Sequence, residues 1–186
     1  MTPALILAAG ASSRLGQPKQ LLRLHHETLL DRTLRLTREA GCTPILILGA
    51  HADLIRSTCD LSTTSTLLNP DWPEGMASSI RHGLAAIPPD ASELLILACD
   101  QPSVTSAHLR ALIEATQSSH APTASSYASR RGVPACFPRS SFSALAALTG
   151  DTGARTLLAH ASTLPLPHGE LDIDTPADLR KFGSNT

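Results

Sequence analysis

The chain has 186 residues, of which 42% are hydrophobic and only 3% aromatic, and carries a formal net charge of -1. That length suits one domain, residues 1–186, and so few rings call for an aliphatic core of Leu, Ala and Ile. Its small net charge, with cations spread along the chain, excludes a surface that gathers nucleic acid by counterion release, and no segment nears the roughly 18 apolar residues a spanning helix needs, so neither nucleic acid nor membrane is an expected partner.

In chain order, the first element is also the most informative. Leu5-Ile6-Leu7-Ala8-Ala9-Gly10-Ala11-Ser12-Ser13-Arg14-Leu15-Gly16-Gln17-Pro18-Lys19 is an apolar run that empties into a loop of small residues carrying two cations. The run reads as a buried strand. Small side chains leave the loop's backbone N–H groups open to a ligand, and Gly10 and Gly16 permit φ > 0, as a phosphate cradle requires. An ordinary strand-to-helix turn with solvated cations looks similar, but thirteen of the fifteen basic residues are Arg, so Lys19 in this loop stands out.

Apolar residues at mixed three- and four-residue spacing then predict an amphipathic helix over 21–41. A second apolar run at 44–49 predicts a strand, followed by a helix over 52–59 and a short strand at 66–68. Turn formers fill 69–75, a helix follows over 76–86, and Pro88-Pro89 stops it. Leu94-Leu95-Ile96-Leu97 predicts another buried strand, ending at Asp100-Gln101-Pro102. This alternation argues for parallel strands with helices on both faces. A helix over 106–118, a Ser/Ala/Arg/Gly stretch over 121–133 that with a short strand at 135–137 reads as a small hairpin flap over the site, helices over 142–148 and 151–161, and a last helix over 177–182 complete the chain.

Cys42, Cys59, Cys99 and Cys136 contain no C-x-x-C pair, which removes zinc-knuckle and dithiol readings and leaves buried thiols of a reducing compartment. The eight histidines have no H-x-x-x-H spacing. Residues 4–9 are apolar without a basic stretch before them, so no signal segment is read there and a cytoplasmic protein is expected.

A Walker loop needs G-x-x-x-x-G-K-[ST], whereas Lys19 is followed by Gln20; a dinucleotide fingerprint needs G-x-G-x-x-G and an acid after the second strand, which here ends Gly49-Ala50-His51. Asp100, just past a strand, is placed where open α/β sheets bind ligands, as metal ligand or as turn cap. Asp172 and Asp174, one residue apart on an extended segment, aim to one side, and either with Asp100 would satisfy Mg²⁺, which takes one or two carboxylates beside substrate phosphates. Helix capping is the competing role for this pair. Ser78 and Ser79, near a helix start, are candidates for a cap or a ligand contact.

Five blocks resemble the MobA-like nucleotidyltransferases, most of all the branch containing molybdenum cofactor cytidylyltransferase. They are Leu7-Ala8-Ala9-Gly10-x-Ser12-x-Arg14-x-Gly16-x-Pro18-Lys19; Asn69-x-x-Trp72-x-x-Gly75-Met76-x-Ser78-Ser79-Ile80-Arg81-x-Gly83-Leu84; Asp100-x-Pro102; Arg131-Gly132-x-Pro134 with Gly150-Asp151-x-Gly153-Ala154-Arg155-x-Leu157-Leu158; and Asp172-Ile173-Asp174-Thr175-Pro176-x-Asp178-Leu179. The resemblance implies a single three-layer, Rossmann-like α/β nucleotidyltransferase domain with a mostly parallel central sheet. It implies that the backbone around Ala8, Ala9 and Gly10 holds the nucleotide base, that Ser12 belongs to the nucleotide-binding set, that Arg14 and Lys19 hold the triphosphate, and that Gly75, Ser78 and Ser79 border base and ribose. Asp100 would hold Mg²⁺ with Asp174 or Asp172, so that Arg14, Lys19 and Asp100 carry the catalysis. Arg131, Gly132, Pro134, Asp151 and Arg155 would shape the acceptor side, where many relatives have His in place of Val133.

Guanylyltransferase relatives tend to have Gly-Gly where this chain has Ala9-Gly10, so CTP is the implied substrate and molybdopterin or molybdenum cofactor the implied acceptor. A recipient molybdoenzyme or its maturation chaperone is the implied partner. The competing expectations are transfer from another NTP to another phosphorylated acceptor, and a non-catalytic cofactor-binding chaperone.

Overall fold

The computed structural model describes residues 1–13, 15–151, 153–173 and 178. Strand β1 (Thr2–Ala8) is the axis of the fold, because its unbroken apolar run can be buried on both faces. It pairs in parallel with β4 (Cys42–Leu48) on one side and β6 (Glu93–Ala98) on the other, Leu5 facing Ile45 and Ile96. Beyond β4 lies β5 (Ser65–Leu68), also parallel. Beyond β6 come β8 (Arg130–Pro138), β7 (Thr123–Tyr127) and the edge strand β9 (Ser162–Pro165), giving the order β5-β4-β1-β6-β8-β7-β9. Only β8 runs against the rest, being antiparallel to both β6 and β7.

Alternate residues of the strands feed two aliphatic layers. Ile6, Leu46, Leu48, Leu95 and Leu97 pack on one face with α1 (Leu29–Glu39), α2 (Ala52–Thr58) and α4 (Ser106–Ser119). Leu5, Ile45, Ile47, Leu94 and Ile96 pack on the other with α3 (Met76–Leu84) and α5 (Phe142–Ala146). The three-layer, mostly parallel architecture expected from the alternation is therefore the one found. No helix among the described residues is long and apolar enough to cross a membrane. All four cysteines are buried, and burial pushes the Cys99 and Cys136 thiols up to about 12.

The amphipathic helix expected over 21–41 starts late. Lys19–Leu21 form a 3-10 turn, and β2 (Arg23–Leu24) and β3 (Glu27–Thr28) form a small antiparallel ribbon before α1 begins. Thr28 caps α1, its hydroxyl accepting from Asp31 N at 3.0 Å, so the helix is locally signalled at Leu29. Leu22, Leu24 and Leu29 instead join Ile173 in a third, small cluster. The stretch expected as helix over 151–161 is a 3-10 helix, Gly153–Leu158. The expected hairpin flap is found as β7 and β8, but it is rooted in the main sheet, turning at Ala128 and Ser129 with φ of 45° and 57°. The last helix, expected over 177–182, lies outside the described residues.

Small residues let the layers close. A Cβ added at Gly83 of α3 would stand 2.2 Å from Leu5 Cδ1, at a fully buried leucine of β1. Gly83→Ala is therefore expected to destabilise the fold by about 1–3 kcal/mol through overpacking, measured as a lowered urea midpoint with an unchanged denaturant slope.

Candidate active site

The loop after β1 is pinned from beneath by a side chain that no sequence motif marks. Gln20, 1% exposed, donates from Nε2 to the carbonyls of Ala8 at 2.7 Å and Gly10 at 3.3 Å. Ser12 and Gly16 take the left-handed conformation, with φ of 52° and 67°; Gly10, expected to share that role, does not. A Cβ at Gly10 would meet nothing within 4 Å, so the space beside it is open. The Ser12 hydroxyl accepts from Lys19 N at 3.1 Å, closing the loop on itself. His51 Nε2 lies 3.1 Å from Ala11 O and must donate, since a carbonyl only accepts. Arg14 lies outside the described residues. Ala8 and Ala9 are buried, and the Ala9 methyl packs near Trp72 and Gly49, where an added Cβ would stand 2.8 Å from it.

Lys19 reaches from this loop to the end of β6, where its ammonium contacts Asp100 Oδ2; the two side chains are 22% and 14% exposed. A strap over 166–173 returns to the same place. Ile173 N donates to Asp100 O at 3.0 Å, and the Ile173 side chain is buried against Leu22, Leu24 and Leu29. Asp172 is thereby held beside Asp100 as an exposed carboxylate, while Asp174 lies outside the described residues. The Tyr127 phenol registers both: burial first, then Asp172 and more weakly Asp100, push its pKa up. Among the described residues no group of three or more His, Cys, Asp or Glu forms a metal cage. Two hard oxygen donors from adjoining segments, next to a cationic loop, fit a divalent ion that completes its shell with phosphate and water.

A cavity of about 400 Å³ opens next to the strap. Arg131, Gly132, Asp151 and Arg155 all line it, together with Asp172 and Tyr127. Pro134 is buried behind them, its carbonyl accepting from Ser125 Oγ at 2.6 Å. The block at Gly75 is welded to the block at Asp151: Gly75 has φ of 108°, and a Cβ there would stand 2.8 Å from Asp151 Cα. Met76 N donates to Asp151 Oδ1 at 3.2 Å and Ala77 N to Gly150 O at 3.1 Å.

Ser78 and Ser79 are 4% exposed and face inward. Asn69 Nδ2 donates to their hydroxyls at 2.9 and 3.1 Å, and Ser78 Oγ is also 2.8 Å from Gly75 O. They hold the turn that carries Gly75. The sequence does not single out Gln20, His51 or Tyr127, because polar residues flanking a motif look like filler until their partners are known; Asn69 opens the second block, but its role toward Ser78 and Ser79 shows only in the structure.

Gln20→Ala leaves the Ala8 and Gly10 carbonyls without this donor. The expected cost is about 1–3 kcal/mol in chemical denaturation, together with weaker nucleotide binding by calorimetry.

Comparison with known proteins identifies the family. A family model described as MobA-like NTP transferase domain matches residues 4–165. Nicotine blue oxidoreductase of Paenarthrobacter nicotinovorans is 32% identical over 83% of this chain and 79% of its own. A probable molybdenum cofactor guanylyltransferase of Synechococcus elongatus is 39% identical over 58% of this chain and 55% of its own, and the molybdenum cofactor cytidylyltransferase of Escherichia coli 31% identical over 45% and 44%. This chain thus spans about half the length of these two molybdenum cofactor enzymes. Among solved structures, Rv0371c of Mycobacterium tuberculosis H37Rv is 35% identical with a TM-score of 0.87 over 100% of both chains. A structure of Rv0371c in complex with manganese has a TM-score of 0.83 at 31% identity, over 100% of this chain and 99% of that one. With a cationic loop after β1, a carboxylate at the end of β6 and a family match over most of its length, this chain belongs to the MobA-like NTP transferases and is a nucleotidyltransferase.

Proposed function

We propose that this nucleotidyltransferase transfers CMP from CTP to the terminal phosphate of molybdopterin, or of its metal-loaded form, and releases pyrophosphate. An acceptor phosphate oxygen forms a bond to the α-phosphorus, and the bond from that phosphorus to the bridging oxygen breaks, its electron pair leaving with pyrophosphate. The acceptor is already ionised, so no general base is needed, and the protein's work is to bring two anions together in line. The observation that carries this reading is the Lys19–Asp100 contact, which joins a phosphate-type loop to a strand-end carboxylate; the strap bonded to Asp100 brings Asp172 to the lining of the arginine-bearing cavity.

In this reading Lys19, with Arg14, holds the triphosphate, and Asp100 with Asp172 or Asp174 holds Mg²⁺. The ion, when bound, neutralises the phosphate oxygens and makes the α-phosphorus more electrophilic. Gly10 and Ser12 line the nucleotide side, while Gly75, Ser78 and Ser79 shape it through the turn they build. Arg131 and Arg155 attract the acceptor, with Gly132, Pro134 and Asp151 forming the wall. The manganese complex of Rv0371c supports a divalent ion. The relative named as an oxidoreductase does not redirect the reading, since the loop lacks the dinucleotide spacing and β4 is followed by Gly49-Ala50-His51 rather than an acid. CTP is preferred because the Ala9 methyl takes up space between the ends of β1 and β4 that a Gly-Gly pair would leave to a larger base. A cytoplasmic location, and delivery of the product to a molybdoenzyme or its maturation chaperone, go with this assignment.

The deciding experiment is a matrix of CTP, GTP and ATP against molybdopterin and molybdenum cofactor, scored by pyrophosphate release. CTP is expected to lead; cofactor binding with no release from any NTP would mark a carrier instead. Asp100→Ala should abolish metal-dependent release while leaving the circular dichroism spectrum intact, and Lys19→Ala should raise the KM for CTP by about tenfold or more. Ala9→Gly should raise the GTP-to-CTP ratio of kcat/KM by roughly fivefold, and an unchanged ratio would remove Ala9 from base selection.

A further inference from the structure

Tyr127 ends β7, half buried, with its ring bracketed by glycines from two separate segments. A Cβ on Gly132 of β8 would stand 2.2 Å from the Tyr127 hydroxyl oxygen, and one on Gly169 of the strap 2.7 Å from its Cδ1, both below the 3.0 Å that Cβ contacts essentially never breach. Neither glycine has a positive φ, so space rather than backbone freedom asks for glycine at both positions: around the ring at Gly132, and around the ring and the Leu166 side chain at Gly169.

The hydrogen bonds reinforce this seat. Tyr127 Oη donates to Val133 O at 3.2 Å, inside the bulge of β8. Gln101, next to Asp100, directs its buried Nε2 toward both Tyr127 Oη and Gly169 O, each at 3.4 Å. Leu166 N donates to Ser126 O at 2.9 Å, and Ser103 Oγ to His168 O at 2.8 Å. Asp172 therefore stands between two anchors: Ile173 in its leucine cluster on one side, and Gly169 against the Tyr127 ring on the other.

We propose that Tyr127 is the positioning residue that sets where Asp172 stands relative to Asp100, its ring acting as a spacer between the β7–β8 hairpin and the strap. The consequence for metal use rests on the function proposed above; the spacer role does not. Because the ring also lines the cavity, it couples the acceptor wall, at Gly132 and Val133, to the segment bearing the carboxylate. An aromatic side chain suits such a spacer, being large, rigid and held by only two torsions.

Amide hydrogen exchange on the full chain tests this. The amides of Gly169 and Leu171 donate to Leu166 O at 3.0 Å and His168 O at 3.1 Å, inside the strap. Tyr127→Ala should speed exchange at both by about tenfold, while Tyr127→Phe, which keeps the ring, should stay within about twofold of the parent. Gly132→Ala should also speed it, and adding Tyr127→Phe should reverse the effect. The double variant removes the oxygen that the new methyl strikes and leaves the next ring atom at 3.0 Å, a distance a small shift relieves.

In the transfer assay, Tyr127→Ala should raise the half-saturating Mg²⁺ by about tenfold, while Tyr127→Phe should keep it within about twofold of the parent. Unchanged exchange at Gly169 and Leu171 in Tyr127→Ala, or failure of Tyr127→Phe to rescue Gly132→Ala, would overturn the proposal. If Tyr127→Ala does not fold, the Gly132→Ala pair decides alone. Absence of CTP-dependent transfer by the parent chain would count against the proposed function, and the exchange result would still decide the spacer role.

Discussion

The Lys19 ammonium resting against the Asp100 carboxylate joins segments 81 residues apart, and the rest of the site is arranged about that contact. It exists because β1 and β6 are parallel neighbours, so the loop leaving one and the acid following the other emerge at the same edge of the sheet. Open α/β sheets place their ligands at this edge, where strand ends leave a crevice between diverging connections. Both charged side chains are mostly, but not fully, withdrawn from water.

Three further segments converge on the same edge, each by a different physical means. Gln20, immediately after Lys19, satisfies the carbonyls at the exit of β1, so the loop's conformation and the lysine's position are set together. The strap arrives through one backbone bond to Asp100 and one buried isoleucine. The turn at Gly75 is locked to Gly150 and Asp151 by backbone contact so close that a side chain at Gly75 would not fit. Consequently the turn at Gly75 and the cavity wall at Asp151 are in direct contact. Gly150 and Asp151 touch the start of α3 at Gly75 and Met76, and Tyr127 touches both the hairpin and the strap.

The strands and helices that pack most heavily were legible from their periods. β1, β4 and β6 appear as unbroken apolar runs because both faces are covered, and α2, α3 and α4 appear within two residues of their observed bounds. Errors fell where local pattern and tertiary use diverge. Leu21 and Leu22 fit a helical spacing with the leucines of α1, yet Leu22 serves a separate cluster with Ile173, a contact no local window contains. β7 was legible only as one arm of a hairpin flap, and β9, short and rich in small polar residues, did not show as a strand; pairing with β8 and with each other makes them so. Gly10 and Gly16 looked equivalent, but the left-handed turn falls on Ser12 and Gly16.

By itself the sequence determined the fold class, the cationic loop and the acid after a buried strand, because each is written in a few consecutive residues whose period or chemistry suffices. It also held five spaced blocks whose likeness to a family grouped Arg131, Gly132, Asp151 and Arg155 before any geometry could. Only the tertiary structure decided how these parts meet: that Lys19 touches Asp100, that Asn69 turns Ser78 and Ser79 inward, and that Tyr127 sits between Gly132 and Gly169. The reason is that such contacts depend on strand order and on space left by absent side chains, and neither quantity is carried by any one stretch of the chain.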